Sequence, residues 1–276
     1  MTLKTIPDQP SSRHGTMTIL TSLILRMLIL LTLCLSTFFL GSKLLILDPS
    51  ADDVSSAQVN LVNQQIQLKM DGLFDEVEDL LRVGGHWLVN ERYLPKDIRQ
   101  LNRLFAPILQ QRDIISGAIF ATSDGTEWFL MKQVDGNWTT RTTNMPEWGK
   151  YTRWDKWQNL EQPPERTWGR NDYDPTERPW FKGALTLPEK QIHWTAPYIF
   201  FTAQAPGITA SLHWHLDDGR EAILALDVQL NNLSAFTSSQ TFGKQGQTMV
   251  LTDDLKVLGL PASRLTQVNN PSQLVL

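Results

Sequence analysis

From Arg170 to Ala184 the chain reads RNDYDPTERPWFKGA, and two of its side chains are suited to holding an anion. Pro179 fixes its own φ and pushes Arg178 toward extended backbone, so Arg178 and Trp180, two residues apart, are expected to project to one side. A guanidinium fork and an indole N–H aimed at one point suit a carboxylate. A second anomaly is Asp227 in EAILALDVQL, because an ionised carboxylate in an otherwise apolar strand is costly to bury without a partner. Two accounts fit these residues. Either Asp227 and Arg178 pair with each other and serve stability alone, or Arg178 takes a ligand's carboxylate and Asp227 its ammonium group.

Other chemistries find less support. His213 and His215 share one face of a strand, but no third ligand stands at metal-binding spacing, so both are expected to be packing or surface histidines. No G-x-S-x-G, P-loop, zincin or dinucleotide motif occurs, and neither an enzyme nor a cofactor is expected. With 25 basic against 29 acidic residues and no basic run, nucleic acid is not an expected partner. The single cysteine, Cys34, rules out an intrachain disulfide and a Cys-based metal site. Leu33 before it is unsuited to a lipoprotein signal, which wants a small side chain there.

The elements that must carry these residues begin with a membrane segment. The stretch 17–47 is interrupted only by Arg26 and Lys43, and the expected span is 23–47, with both basic side chains snorkelling at the interfaces. Lys4, Arg13 and Arg26 precede the span, whereas Asp48, Asp52 and Asp53 follow Lys43, so residues 1–22 are expected inside and the remainder outside. A cleaved signal peptide fits less well, because the charged leader is long and Leu40, Gly41 and Ser42 make a poor cleavage site.

Next, Val59, Val62, Ile66, Met70, Leu73, Val77 and Leu80 recur at steps of three and four, which predicts a stalk helix over 48–84 ending near Gly84 and Gly85. The acids Asp71, Asp75, Glu78 and Asp79 fall on its polar face and read as solvated charge. A second helix is predicted over 95–111. The period then changes to two in ISGAIFATS, EWFLMKQV and NWTTRTT, separated by Asp124-Gly125 and Asp135-Gly136, which predicts an antiparallel meander. The Trp-rich stretch 142–170 shows no clear period, and its rings read chiefly as packing anchors. Strands are predicted over 192–201, 207–215 and 221–230, then a helix-like link and a strand, turn and strand in QTMVLTDDLKVLGL. The expected fold class is α+β.

The strings YDPTERPWFKGA, WTAPYIF, GITAS and LALDV together resemble the double Cache ectodomains of bacterial chemoreceptors, sensor kinases and cyclic-nucleotide enzymes. The similarity runs from the spanning helix to the end of the chain and is densest from Tyr173 to Asp227. It implies a membrane-distal PAS-like domain over 85–235, the start of a membrane-proximal PAS-like domain over 236–276, and a homodimer formed through the stalk helix. It further implies a bacterial inner-membrane location with a periplasmic or extracellular sensing domain, anchored in lipid by one helix.

Within that family the amino-acid-binding subset is similar at Tyr173, Arg178, Trp180, Tyr198 and Asp227. The resemblance puts Arg178 and Trp180 on a ligand carboxylate, and Tyr173, Tyr198 and Asp227 on its amine. Phe200 stands where family pockets often carry an acid, and Phe181 where a tyrosine is common. Those losses of polar groups leave a different carboxylate or amine, or a lapsed site, open. The function so implied is ligand sensing in a signal-transduction receptor. The competing reading is a tethered binding or adhesion module without signalling output.

Overall fold

The computed structural model describes residues 13–43, 48–133, 135–239, 249–251 and 257–259, with side chains over 19–43, 57–133, 135–235 and 249–251. The chain divides into two compact units, Met1–Asn63 and Gln64–Leu276.

In the first unit, α1 covers Arg13–Ser42, and its apolar side chains from Ile19 to Leu40 stand exposed all round. The stretch Ile19–Ser42 is long and apolar enough to cross a membrane: its 24 residues reach about 36 Å against a hydrocarbon core of about 30 Å. Thr32 and Thr37 turn their hydroxyls back onto the carbonyls of Ile29, Leu33 and Cys34, which satisfies these polar groups within the helix. This apolar helix begins and ends earlier than the expected 23–47, and residues 44–47 lie outside the described set.

A second helix, α2, covers Asp48–Glu91 and does not stop at the paired glycines. A Cβ on Gly84 would lie 3.0 Å from Leu224 Cδ2 and 3.1 Å from Phe105 Cε1, and one on Gly85 would lie 3.3 Å from Leu212 Cδ1. The glycines therefore let the helix backbone approach the sheet, and the helix ends instead at Arg92, whose φ is +54°. Helix α3, Ile98–Gln111, starts three residues later than predicted, because Asp97 spends its carboxylate on the Leu94 amide and Pro95 sits before the first turn.

The strands are β1 (Ile115–Thr122), β2 (Thr126–Lys132) and β3 (Trp138–Asn144), then a short helix α4 (Met145–Trp148), then β4 (Tyr151–Trp157) and β5 (Glu165–Arg170). Gly125 and Gly136, with φ of +80° and +85°, close the two predicted hairpins. The predicted meander is thus extended by two strands in the Trp-rich stretch. β5 is an edge strand exposed on both faces and so shows no alternation. Trp157 is buried there and donates from its indole to Thr140 Oγ1 at 3.0 Å, whereas Trp148 and Trp168 pack edge to face at 4.8 Å, with Trp168 half exposed.

After α5 (Pro179–Ala184) come β6 (His193–Trp194), β7 (Tyr198–Ile199), β8 (Pro206–His215), β9 (Glu221–Gln229) and α6 (Leu230–Ser239). The strand predicted over 192–201 is therefore two short pieces. The sheet runs β5-β4-β3-β2-β1-β9-β8-β6, with β7 also on β8, and every pairing is antiparallel. A mixed α+β fold is what the sequence implied.

One face of this sheet carries Phe120, Trp128, Leu130, Leu212, Leu224 and Leu226 against Leu81, Leu88, Leu101 and Phe105 of α2 and α3. The other carries Ile119, Phe129, Met131, Ile223 and Ala225 against Trp180, Phe181 and Ala184 of α5. Beyond α6, the strands β10 (Val250–Leu251) and β11 (Val257–Gly259) pair with each other. Most of 236–276, where the second domain is expected to begin, lies outside the described residues.

Candidate functional site

The pairing of β1 with β9 joins segments about a hundred residues apart and sets Gly117 opposite Asp227, while Thr209 of β8 faces Asp227 from the other side. A Cβ at Gly117 would lie 2.7 Å from Phe129 Cε2 and 3.5 Å from Asp227 Oδ2, so the bare backbone lets the Phe129 ring lie beside the carboxylate. On the same face, Arg141 of β3 stands opposite Phe129, and Glu127 lies two residues further along β2.

Tyr173, Arg178, Trp180, Tyr198 and Asp227 all line one cavity on this face, together with Ile119, Phe129, Met131, Arg141 and the turn 200–203. Arg178 is extended, with φ −78° and ψ 150°, as Pro179 dictates. Trp180, however, belongs to α5, in which Pro179 occupies the first turn. The two side chains therefore reach one cavity from a helix start and not from a strand.

Arg178 and Asp227 form no salt bridge. Arg178 donates from Nη2 to the Ile199 carbonyl at 3.2 Å, and its guanidinium lies 5.5 Å from the Tyr198 ring centre and 5.8 Å from that of Tyr173. Asp227 accepts from Thr209 Oγ1 at 2.7 Å through Oδ1, and among the described residues its Oδ2 has no partner. Thr209 has one proton to give, so Tyr198, 2.7 Å away, donates to Thr209 in turn. The stability-only account of Arg178 and Asp227 thus lacks the contact it needs.

Burial pushes the Asp227 carboxyl up to about 7, against the opposing pull of the Thr209 hydroxyl and the Arg141 charge. Burial likewise raises the Tyr198 phenol, which stays protonated. Trp180 is almost fully buried, its carbonyl accepts from Ser211 Oγ at 2.8 Å, and among the described residues its indole N–H has no hydrogen bond. The residues lining the cavity therefore include an indole donor, a guanidinium fork and a carboxylate oxygen.

Beneath it lies a cluster that the sequence reading missed. Arg141, 3% exposed as a side chain, donates from Nε to Glu127 Oε2 at 3.0 Å and from Nη2 to Glu127 Oε1 at 2.8 Å and to the Tyr173 hydroxyl at 2.6 Å. Its Nη1 reaches Thr202 Oγ1 at 2.5 Å, and its guanidinium lies 3.9 Å from the centre of the Tyr173 ring. Burial opposes the Arg141 charge, but the Glu127 carboxylate beside it prevails and raises its pKa. Tyr173 in turn donates to Glu127 Oε1 at 2.5 Å, so its hydroxyl is committed to this cluster. A signal was available: the Asp135-Gly136 hairpin sets a register that brings Arg141, alone among threonines, diagonal to Glu127.

The turn 200–205 closes over the cavity. Phe200 N–H donates to the Ala205 carbonyl at 2.9 Å, Phe201 packs on Tyr173 at 4.6 Å between ring centres, and Gln204 takes a φ of +48°. Free space at the centre is about 20 Å³, room for about one water. His213 and His215 lie elsewhere: His213 faces Glu221 and the Leu187 carbonyl, and His215 faces Glu189 and Glu221.

No protein-family model matches the chain. The methyl-accepting chemotaxis protein McpA of Bacillus subtilis (strain 168) is 24% identical over 198 residues, a match spanning 72% of this chain and 24% of that protein. The chain thus corresponds to about a quarter of that relative's length.

Among solved structures, the sensory domain of the Campylobacter jejuni chemoreceptor Tlp3 (CcmL) superposes with a TM-score of 0.51 at 16% identity, covering 82% of this chain and 79% of that one. Methyl-accepting chemotaxis protein X gives 0.56 at 14% identity, over 79% and 78%. The ligand-binding domain of Tlp3 in complex with L-valine gives 0.50 at 15% identity, over 79% and 75%. The fold is that of chemoreceptor sensory domains, as the Cache resemblance implied.

Proposed function

We propose that this chain is the membrane-anchored, ligand-sensing portion of a signal-transduction receptor, whose sensory domain binds a small zwitterion such as an amino acid. The observation that carries the reading is the separation of charges in one cavity. Arg178 and Asp227 both line it, yet neither neutralises the other, and each keeps unspent hydrogen-bonding capacity. Arg178 and Trp180 hold the carboxylate; Asp227 Oδ2 and the Tyr198 hydroxyl oxygen receive the ammonium group. Tyr173 acts as a wall, because its hydroxyl belongs to Arg141 and Glu127. The L-valine bound by the Tlp3 domain of like fold supports this ligand class.

Entry requires the turn 200–205 to move, since about 20 Å³ is far below the volume of any amino acid. Exchange of the Phe201–Tyr173 contact for ligand contacts is the population shift that sensing needs. The remaining parts of the reading are an inner-membrane anchor through α1, a periplasmic or extracellular sensory domain, a membrane-distal domain over 85–235 followed by a proximal one, and a homodimer through α2. Leu61 and Leu68, exposed and seven residues apart on α2, support the last.

Isothermal calorimetry of the 276-residue chain in phosphatidylcholine nanodiscs, titrated with amino acids and polyamines, tests the reading. Heat with at least one ligand, abolished by Arg178→Ala and by Asp227→Ala, is expected. Silence from every ligand, or affinity unchanged in both variants, overturns it.

A further inference from the structure

We infer that the cavity selects amino acids whose side chains are uncharged and apolar, with Phe200 as the residue that sets this preference; the inference rests on the zwitterion reading above. Three charged side chains line the cavity, Arg141, Arg178 and Asp227. The zwitterion's own charges engage Arg178 and Asp227. Any third charge on the ligand must then find a partner among what remains.

Nothing suitable remains. A cationic side chain would need a second carboxylate, and the nearest, Glu127, has Oε1 taken by Arg141 and Tyr173 and Oε2 by Arg141. An anionic side chain would need Arg141, four of whose five N–H donors are held by Glu127, Tyr173 and Thr202, which leaves a single N–H and no fork for a carboxylate. Detaching Arg141 would leave Glu127, which is fully buried, without its counter-charge. A charged ligand side chain is therefore desolvated without compensation.

Apart from the uncharged Ser116, Thr202 and Gln229, the rest of the wall suits a hydrocarbon or thioether. Ile119, Phe129 and Met131 stand on adjacent strands of the site face, and Phe200 and Ala203 close over them from the turn. Phe200 is 4% exposed, lies 5.2 Å from Tyr198 between ring centres, and rests so closely on Gly207 that a Cβ there would meet its ring at 2.0 Å. This fit seats the ring against β8 when the turn is shut, so it forms part of the wall of the closed cavity.

The test is a calorimetric panel on the 276-residue chain in phosphatidylcholine nanodiscs, comparing L-valine, L-leucine and L-methionine with L-aspartate, L-glutamate, L-lysine and L-arginine. The apolar set is expected to bind about a hundredfold more tightly than the charged set, the discrimination that an unpaired buried charge imposes. Any charged amino acid within tenfold of the best apolar one overturns the inference while leaving the zwitterion site standing. Silence from the whole panel overturns both. Phe200→Glu is expected to raise L-lysine affinity at least about tenfold by supplying the missing carboxylate. Ala203→Glu supplies the same charge without disturbing the packing on Gly207, and failure of both variants to gain L-lysine affinity overturns the role given to this wall.

Discussion

Asp227→Asn should make the ligand-free protein more stable while destroying its ability to bind, and the pH dependence of both effects follows from one number. The Asp227 carboxyl sits at about 7 in the folded protein against an ordinary value of 3.8. Because the folded pKa is raised, the unfolded chain gives up its proton first as pH rises. Stability associated with this group is therefore complete below about pH 4 and declines until about pH 7. Over that window of about three units the loss is about 1.4 kcal/mol per unit, on the order of 4 kcal/mol in all. Asparagine keeps an acceptor for Thr209 and escapes this cost, so the variant should unfold at higher temperature than the wild type at pH 8, with the gap narrowing as pH falls and closing below about pH 4.

Ligand affinity should run the opposite way. An ammonium group needs ionised Asp227, whose share in the empty protein falls from about nine-tenths at pH 8 to about one-tenth at pH 6. Neither charge of an amino acid titrates in that range, so Kd should weaken about tenfold from pH 8 to pH 6. Calorimetry in buffers of differing ionisation enthalpy would also detect the proton released on binding near pH 7. A Kd that stays flat across this range, or an Asp227→Asn variant no more stable than wild type at pH 8, would refute the reasoning that this carboxylate is held at a cost for the sake of a cation.

Arg141→Ala removes the partner of fully buried Glu127 and should cost about 3 to 5 kcal/mol in chemical denaturation, with Arg141→Met plus Glu127→Gln recovering much of it. Gly84→Ala improves helix propensity by about 1 kcal/mol, yet its Cβ meets Leu224 at 3.0 Å and Phe105 at 3.1 Å. A net loss of about 1 kcal/mol and a lower thermal midpoint are expected. Gly117→Ala drives the Phe129 ring from its place, the Cβ standing 2.7 Å from Cε2; since Phe129 lines the cavity, calorimetry should show weaker binding of any ligand that wild type accepts.

The helix-facing side of the sheet is apolar and closely packed by Leu81, Leu88, Leu101 and Phe105. The site-facing side carries Glu127, Arg141 and Asp227, all nearly inaccessible to water. Of these, the first two neutralise each other and the third does not. A fold selected for stability alone would not leave a carboxylate in that condition.

The sequence by itself determined those features that neighbouring residues encode. An apolar run with no polar face makes α1, Asp-Gly pairs between alternating stretches make the β1-β2-β3 meander, and Pro179 holds Arg178 extended. Asp227 was legible as an anomaly because a single charge interrupts an apolar strand. What tertiary structure alone decided depends on partners distant in the chain. Gly84 and Gly85 resemble a helix end until Leu212 and Leu224 are seen pressing on them, and β5 has no alternation because it lies at the sheet edge. Whether Arg178 and Asp227 pair was undecidable from spacing, since 48 residues and the β1-β9 register intervene. The β2-β3 register sets Arg141 diagonal to Glu127, and the tertiary fold brings Tyr173 onto both. Local periodicity is written in the covalent order of the chain; a charge balance inside a cavity exists only once the strands have chosen their neighbours.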